Sequence, residues 1–237
     1  MDKIKRLREL ANTRRDMRWK GYLNIHDFHN GVYDCDFISP YTKSACNIES
    51  EIFILLQDWA SENFLRSEVD KTLIRLGHDP NLPTNRHLKE LLKLHFSLSL
   101  DKVYATNLFP FVKPAHMNAK IPIKDLVRAA KCFALPQIEI IRPRLVVALG
   151  LDTFNAIRRA NGHKLFSTIS PAIASPLDVD GTRIWCQAHT GVLGRNNRNR
   201  GDQTRVDSDW AHMSSWYTSE EIPVVVGRAV SARHSTE

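Results

Sequence analysis

Short apolar runs alternate with amphipathic stretches along most of the chain. Four of these runs are continuous, short and rich in β-branched or aromatic residues, which is typical of strands buried on both faces of a parallel sheet. They lie at residues 51–56, 102–106, 145–149 and 184–188. Because each run ends abruptly at a polar residue or at glycine, the pattern also predicts where the strands stop.

Between the runs, apolar positions recur at spacings of three and four, the period of an amphipathic helix. The predicted helices lie at residues 61–76, 85–95, 123–141, 152–160 and 207–217. A basic amphipathic helix is predicted within the first twenty residues, where Ile4, Leu7 and Ala11 form an apolar stripe. The glycine- and arginine-rich segment 191–201 is predicted to be a loop.

This alternation of strands and helices predicts an α/β fold, a three-layer α/β/α sandwich around a mostly parallel sheet. We expect residues 1–48 to form the basic helix and an irregular lead-in. Residues 49–220 would form the main domain, and residues 221–237 a polar tail.

The composition excludes several classes of protein. The 237 residues are 43% hydrophobic and 25% charged, which suits one globular domain and argues against disorder. The longest apolar stretches fall far short of the ~18 to 20 residues of a membrane helix. Since the N-terminus has no apolar signal region, we expect a cytoplasmic protein that is not bound to a membrane. We also expect a monomer.

Charge and metal-ligating residues narrow the choice of partner. Lys and Arg number 33 against 26 Asp and Glu, and the formal net charge of +7 favours a polyanion such as DNA. The four cysteines lie far apart, without a C-x-x-C pair: Cys35, Cys46, Cys132 and Cys186. We expect reduced thiols rather than a zinc ribbon. His26, His29 and His116 lack a further ligand at a convincing spacing, so no metal site is predicted.

Polar groups follow the predicted strands, and the carboxyl ends of parallel strands meet at one edge of a sheet. The residues at these ends are Gln57, Asp58, Asn107, Gly150 and His189. A carboxylate can stabilise a developing positive charge, and an imidazole that faces it can stabilise a developing negative charge. In cleavage of an N-glycosidic bond, Asp58 would stabilise the cationic sugar and activate water, and His189 would stabilise the departing base. Asn107 can donate to and accept from the Watson–Crick edge of an extruded pyrimidine.

Four segments together resemble the successive motifs of the uracil-DNA glycosylase superfamily. They are Leu55-Leu-Gln-Asp-Trp59, Thr106-Asn107 with its proline-containing loop, Arg142-Pro-Arg-Leu-Val-Val-Ala-Leu-Gly150 and Ala188-His-Thr-Gly-Val-Leu193. The match covers roughly residues 50 to 200. Each segment alone is weakly specific, and their order, spacing and placement at strand ends carry the resemblance.

The resemblance implies roles for individual residues of this chain. Gln57 would help to form the base pocket through its backbone, Asp58 would activate water, Asn107 would read the base, and His189 would be the histidine of the last motif. Leu193, four residues further on, stands where the family places an apolar wedge that fills the vacated base stack. The residues expected to contact the DNA backbone are Lys113, Gly150, Arg195, Arg198 and Arg200.

The chain departs from the commonest uracil-specific motif, Gln-Asp-Pro-Tyr, in which the tyrosine excludes thymine. Here Trp59 and Ala60 follow Asp58. A small residue at the tyrosine position leaves room for a 5-substituent. We therefore consider, besides uracil, a 5-modified pyrimidine such as hydroxymethylated or glucosylated cytosine in phage DNA, which would make the protein a defence enzyme. Trp59 and Phe64 either stack on the flipped base or belong to the core.

The sequence also limits which cofactors and which other activities are expected. Some branches of the superfamily hold an iron–sulfur cluster with four cysteines, and only Cys132 falls near such a position, so we expect cofactor-free catalysis. No lysine is evident among the strand ends, so we expect a monofunctional glycosylase without lyase activity. The alternatives are a catalytically silent nucleic-acid-binding module that recognises modified bases, and a metal-dependent nuclease, for which the sequence offers no carboxylate cluster.

Overall fold

The computed structural model describes residues 2–219, so the predicted tail at 221–237 lies outside the described residues. The strands are β1 (Ile52–Asp58), β2 (Tyr104–Phe109), β3 (Leu145–Leu149), β4 (Leu177–Val179) and β5 (Thr182–Gln187). The α-helices are α1 (Lys3–Asp16), α2 (Glu62–Leu65), α3 (Lys71–Leu76), α4 (Pro83–Phe96), α5 (Ile123–Ala129), α6 (Leu135–Ile141), α7 (Leu151–Ala160), α8 (Ile169–Ile173), α9 (Val192–Arg198) and α10 (Arg205–Ser219).

The strands form one sheet in the order β2-β1-β3-β5-β4. β2, β1, β3 and β5 run parallel, and β4 pairs antiparallel with β5. The chain leaves β1 towards one side to form β2 and returns to the other side to form β3. Such a reversal of direction opens a crevice at the carboxyl ends of the strands, where open α/β sheets bind their ligands.

Alternate side chains of β1 enter two separate cores, one on each face of the sheet. Phe53 and Leu55 pack with α1, α5, α6, α7 and α8. Ile52, Ile54 and Leu56 pack with α4 and α10. Burial on both faces explains why the strands read as continuous apolar runs. It confirms the predicted three-layer α/β/α sandwich.

The N-terminal region, predicted as a basic helix and an irregular lead-in, packs into this core. Leu7 and Ala11 of α1 are fully buried in the first core. Arg14 is fully buried as well and donates to Asn24 Oδ1 at 2.8 Å. The lead-in therefore folds against the sheet and can contribute to its functional edge.

Several predicted element boundaries are wrong for local reasons. The predicted helix at 61–76 is two short helices, because the Asp70 side chain accepts hydrogen bonds from Thr72 N and Leu73 N and starts α3. The segment 123–141 is helical throughout but contains a π turn at Ala130–Ala134. β2 continues past Asn107, which pairs with Leu56 of β1.

The predicted loop at 191–201 contains the helix α9. Its glycine, Gly194, and its two asparagines, Asn196 and Asn197, have low helix propensity and conceal the helix in the sequence. Among residues 2–219, no helix combines the length and the apolar content that crossing a bilayer requires.

Candidate active site

A pocket of about 410 Å³ opens at the carboxyl edge of the sheet, where the sequence predicted the site. It is lined by seven of the predicted residues: Gln57, Asp58, Trp59, Phe64, Asn107, Lys113 and His189. Residues that the sequence analysis missed complete much of the polar wall: Tyr41, His78, Asp79, Thr84, Asn85 and Asn118. The strand ends thus meet as expected, and the rest of the wall comes from irregular segments.

Asp58, at the end of β1, forms an ion pair with Lys113 across the pocket wall. The Lys113 Nζ lies 2.7 Å from Asp58 Oδ2, and the two side chains are 6% and 11% exposed. Nζ also donates a hydrogen bond to the backbone oxygen of Met117. The sequence did not show that a lysine side chain reaches the end of β1. Lys113 belongs to the loop after β2, and the sequence offers no period that would show this loop folding back onto β1.

His189 follows β5 and faces the pocket as a neutral imidazole. Its Nδ1 accepts a hydrogen bond from the backbone N–H of Gly191 at 3.0 Å. Desolvation lowers the pKa of His189, the charge of Lys113 lowers it further, and that of Asp58 opposes the shift. A neutral ring that accepts at Nδ1 carries its hydrogen on Nε2. His189 therefore presents a hydrogen-bond donor.

Gly191 and Gly194 allow the chain to pack closely against His189 because they have no side chain. A Cβ on Gly194 would lie 2.2 Å from the His189 backbone oxygen and 2.8 Å from its Cβ. A Cβ on Gly191 would lie 2.9 Å from His189 Nδ1 and 2.9 Å from Thr84 Oγ1. These approaches are closer than nonbonded atoms tolerate, so only glycine permits this packing of α9 on the histidine. The sequence analysis missed both positions.

Asn107 lies within β2 and is 1% exposed. Its Oδ1 accepts a hydrogen bond from Ser39 Oγ. Its Nδ2 is buried without a hydrogen-bond partner among the described residues. Since buried amide groups are almost always paired, a free donor on a pocket wall indicates a ligand that accepts from it.

His78, which the sequence analysis did not select, supplies the complementary group. Its ring stacks on Tyr41 with centroids 5.0 Å apart, and burial lowers its pKa. Nδ1 lies 3.0 Å from Ser44 Oγ, whose own hydrogen goes to Leu76 O. Nδ1 is therefore the donor. Nε2, which has no partner among residues 2–219, is an unpaired acceptor.

The aromatic residues after Asp58 divide between the pocket and the core. The Trp59 indole lines the pocket and is fixed by a 2.7 Å hydrogen bond from Nε1 to Gly77 O. Phe64 also lines the pocket and is 43% exposed. Ala60 does not line it. Its side chain packs in a third apolar cluster with Tyr33 and Leu65. This placement corrects the idea that Ala60 itself widens the pocket.

The residues predicted to contact DNA differ in how they are placed. Leu193, on α9, is 74% exposed and is free to meet a partner. Arg200 is exposed, and Arg195 is half-buried with its Nε unpaired among the described residues. Leu193 and Arg200 are thus accessible on the segment that follows His189, and Arg195 is only partly so.

The guanidinium of Arg198 is engaged within the protein, which corrects its predicted contact with DNA, and Gly150 has a structural role in a turn. Arg198 makes a bidentate ion pair with Asp209 at 2.6 and 2.8 Å and donates to Ser170 Oγ at 2.8 Å, so its guanidinium joins α9 to α10 and α8. Gly150 closes the turn between β3 and α7. Its backbone N–H donates to Gln187 O at 2.8 Å, and its φ of 101° is a conformation that favours glycine.

A larger hollow of about 560 Å³ lies elsewhere on the molecule. Its lining includes Glu139 of α6, Arg142 before β3, and Thr182 at the start of β5. This is the amino edge of the sheet, opposite the crevice. We assign the function to the smaller pocket because the carboxyl edge carries the converging strand ends.

No family model matches the chain, and no curated protein matches it either. In residues 2–219, no group of three or more histidine, cysteine, aspartate or glutamate residues is arranged to hold a metal ion.

Proposed function

We propose that the protein is a monofunctional DNA glycosylase, which extrudes a pyrimidine nucleotide and hydrolyses its N-glycosidic bond to leave an abasic site. One observation carries the proposal. A half-buried carboxylate, Asp58, and a neutral imidazole, His189, line the same pocket at the carboxyl edge of the sheet. The resemblance to the uracil-DNA glycosylase superfamily supports it, because the same two residues carry the matching motifs.

The two groups match the charges that develop when the bond to the base breaks. As the bond between C1′ and the base lengthens, the sugar becomes cationic and the base anionic. The Asp58 carboxylate stabilises the sugar and accepts a proton from the attacking water. The Nε2–H of His189 donates to the departing base, and a neutral donor suffices because it strengthens as the negative charge grows.

The unpaired polar atoms of the pocket suit the edge of a pyrimidine. Asn107 Nδ2 offers a donor and His78 Nε2 an acceptor. A pyrimidine edge presents acceptors on its ring and carbonyl groups together with an N–H donor, so both unpaired atoms gain a partner when such a base enters. The base then replaces the water that would otherwise hydrate these atoms.

The size of the pocket favours a base with a 5-substituent. If every non-hydrogen atom of uracil took the ~30 Å³ of a water molecule in the liquid, the base would fill ~240 Å³. The pocket holds about 410 Å³. By the same measure hydroxymethylated cytosine would fill ~300 Å³ and fits, whereas the sugar of a glucosylated cytosine would extend out of the pocket. With such a base the biological role is defence against phage DNA. With uracil as the substrate, the role is base repair.

The surface around the pocket suits DNA. Leu193 projects from α9 and is 74% exposed, as a wedge that fills the vacated base stack must be. Arg195 and Arg200 flank it and serve as phosphate contacts. The net charge of +7 favours the same partner. We propose a cytoplasmic monomer acting on DNA.

One observation favours the alternative of a silent module that recognises modified bases. The ion pair with Lys113 engages one oxygen of the Asp58 carboxylate. An ammonium group held there reduces the negative charge available to the sugar. The two functions differ in whether a base is released.

The experiment is a single-turnover measurement of base release with Asp58→Asn and His189→Ala. Each variant should lose about 10²- to 10⁴-fold in rate, the usual contribution of a positioned acid or base. Asp36→Asn is the matched control, because Asp36 is exposed and lies 3.9 Å from Arg8, its ion-pair partner. Cleavage by Asp58→Asn at the parent's rate, with the control unchanged, would show that the roles are wrongly assigned.

A further inference from the structure

We propose that Ser39 determines which class of pyrimidine this site accepts, because it holds the Asn107 amide in the orientation that presents an N–H donor, and not a carbonyl oxygen, to the base. The inference deepens the proposed function and rests on it, since it concerns the pocket that would receive the extruded base. Ser39 is a positioning residue, which is fully buried and acts on the base through Asn107.

The hydroxyl group of Ser39 takes part in a chain of hydrogen bonds with a fixed direction. Its Oγ accepts from the backbone N–H of Tyr41 at 3.4 Å and donates to Asn107 Oδ1. The backbone of Ser39 is held as well, because Thr42 Oγ1 donates to Ser39 O at 2.6 Å. Ser39, Thr42 and Asn107 are all buried, so their polar groups must find partners within the protein.

A reversed amide would leave the Ser39 hydroxyl without an acceptor. If the Asn107 amide turned over, Nδ2 would face Ser39 Oγ and Oδ1 would face the pocket. Ser39 Oγ would then lie between two donors, this Nδ2 and the N–H of Tyr41. Among the described residues, Asn107 Oδ1 is the one atom that accepts the Ser39 hydrogen. Because an unpaired hydroxyl is costly in a buried position, Ser39 fixes the observed orientation.

The orientation of this amide decides between two classes of pyrimidine. Uracil and thymine carry an acceptor at position 4 and a donor at N3, whereas cytosine carries a donor at position 4 and an acceptor at N3. A carboxamide that rotates freely has a donor side and an acceptor side and can match either pattern. A fixed amide matches only the base whose acceptor meets Nδ2. Ser39 therefore makes the site selective between 4-oxo and 4-amino pyrimidines.

The same segment also positions the acceptor of the pocket. Ser39 precedes a short 3-10 helix, Pro40–Lys43, which contains Tyr41. The Tyr41 ring stacks on His78 with centroids 5.0 Å apart, and His78 Nε2 is the unpaired acceptor. Residues 39–41 thus support both a fixed donor and a fixed acceptor. Their order in space is constant, and a base must match it with its own donor and acceptor.

The test uses two duplexes, one with 5-hydroxymethyluracil and one with 5-hydroxymethylcytosine, each opposite guanine. These bases differ only in the donors and acceptors at N3 and position 4, and the base-pairing energies are common to all variants. The measured quantity is the ratio of the rates of single-turnover base release. The parent should prefer one base. Ser39→Ala, whose amide is free to turn, should reduce that preference on the order of 10-fold. Ser39→Thr retains the hydroxyl and should retain the ratio.

Ser50→Ala is the matched control. Ser50 is a buried serine that also donates and accepts, with Ile52 O at 2.9 Å and Ile52 N at 3.1 Å. It lies before β1 at the amino edge of the sheet, so its replacement removes comparable hydrogen bonds away from the pocket. Its ratio should equal the parent's. A parent without preference, an unchanged ratio in Ser39→Ala, or an equal change in Ser50→Ala would overturn the proposal.

Binding separates this outcome from that of the glycosylase proposal. The affinities of Asp58→Asn for the same duplexes, with and without Ser39→Ala, give a second ratio that requires no catalysis. A shift in this ratio without base release from any duplex would support the role of Ser39 and refute the excision step. Base release with unchanged ratios would refute only the role of Ser39. Ser39→Cys, which has a similar shape but a weaker donor, provides the same comparison if Ser39→Ala does not fold.

Discussion

Asp58 and His189 enter the pocket from different strands, and a third residue, Lys113, sets the charge that each one meets. The cation lies 2.7 Å from Asp58 and also lowers the pKa of the histidine. Desolvation is the larger cause of that lowering, and Asp58 opposes it. The result is a neutral imidazole beside a carboxylate, two groups suited to opposite charges in one transition state.

The protonation of His189 provides a prediction at this scale. Because its pKa lies below the ordinary 6.5, the ring should remain neutral as the pH falls through 6.5. Replacing Lys113 by glutamine removes a positive charge, so the pKa of His189 should rise. NMR titration of the His189 ring protons measures both values. A midpoint above 6.5 in the parent, or no upward shift in Lys113→Gln, would contradict this description of the site.

At the scale of elements, the turn between β5 and α9 determines where His189 lies. The sequence analysis selected the histidine and Leu193 but predicted a loop at 191–201. The helix was missed because its stability depends on tertiary contacts, above all the pair of Arg198 with Asp209 of α10. Gly194 was overlooked for the same reason. Glycine is required there only because α9 approaches His189 closely in the folded protein.

Gly194→Ala tests this packing. Alanine normally stabilises a helix relative to glycine by about 1 kcal/mol. Here the added Cβ would lie 2.2 Å from His189 O, so we expect His189 to be displaced and single-turnover base release to fall on the order of 10²-fold. Asn197→Ala, an exposed position on the same helix, should leave the rate unchanged. An active Gly194→Ala would mean that α9 does not position the histidine.

For the whole molecule, the sequence predicted the fold through features that depend on local pattern. Continuous apolar runs marked β1, β3 and β5, and their polar ends marked Asp58 and His189. Tyr41, His78 and Asn85 escaped because they lie in irregular segments without a helix or strand period, or at the start of a helix. Tertiary contacts place them, such as the 2.6 Å hydrogen bond from Tyr41 Oη to Asn85 Oδ1.

The buried histidines predict how the stability of the whole protein varies with pH. Burial is the main cause that lowers the pKa values of His78, His95 and His189 below 6.5. The unfolded chain therefore binds protons below pH 6.5 that the folded protein does not. The stability that these neutral histidines contribute should be fully present above pH 6.5. The free energy of unfolding should then fall as the pH decreases through 6.5 towards the lower pKa values of the folded protein.

Urea denaturation at about pH 7.5 and about pH 5.5 measures this dependence. The midpoint should be lower at the acidic pH, and His95→Gln should reduce the difference because it removes one of the three groups. His163→Gln, at an exposed position, should leave the difference unchanged. A midpoint that stays constant or rises on acidification would show that these histidines are not held neutral by the fold.

The central claim is that the pocket releases a base from DNA, and the most direct measurement is the released base itself. The purified protein, with a metal chelator, is incubated with duplexes that contain uracil, thymine opposite guanine, 5-hydroxymethylcytosine or its glucosylated form. Mass analysis then identifies free base, and alkali cleaves the strand at any abasic site. We predict release of a free pyrimidine base by the parent and none by Asp58→Asn. Intact DNA in every duplex, despite binding by the parent, would contradict the account and favour a silent recognition module.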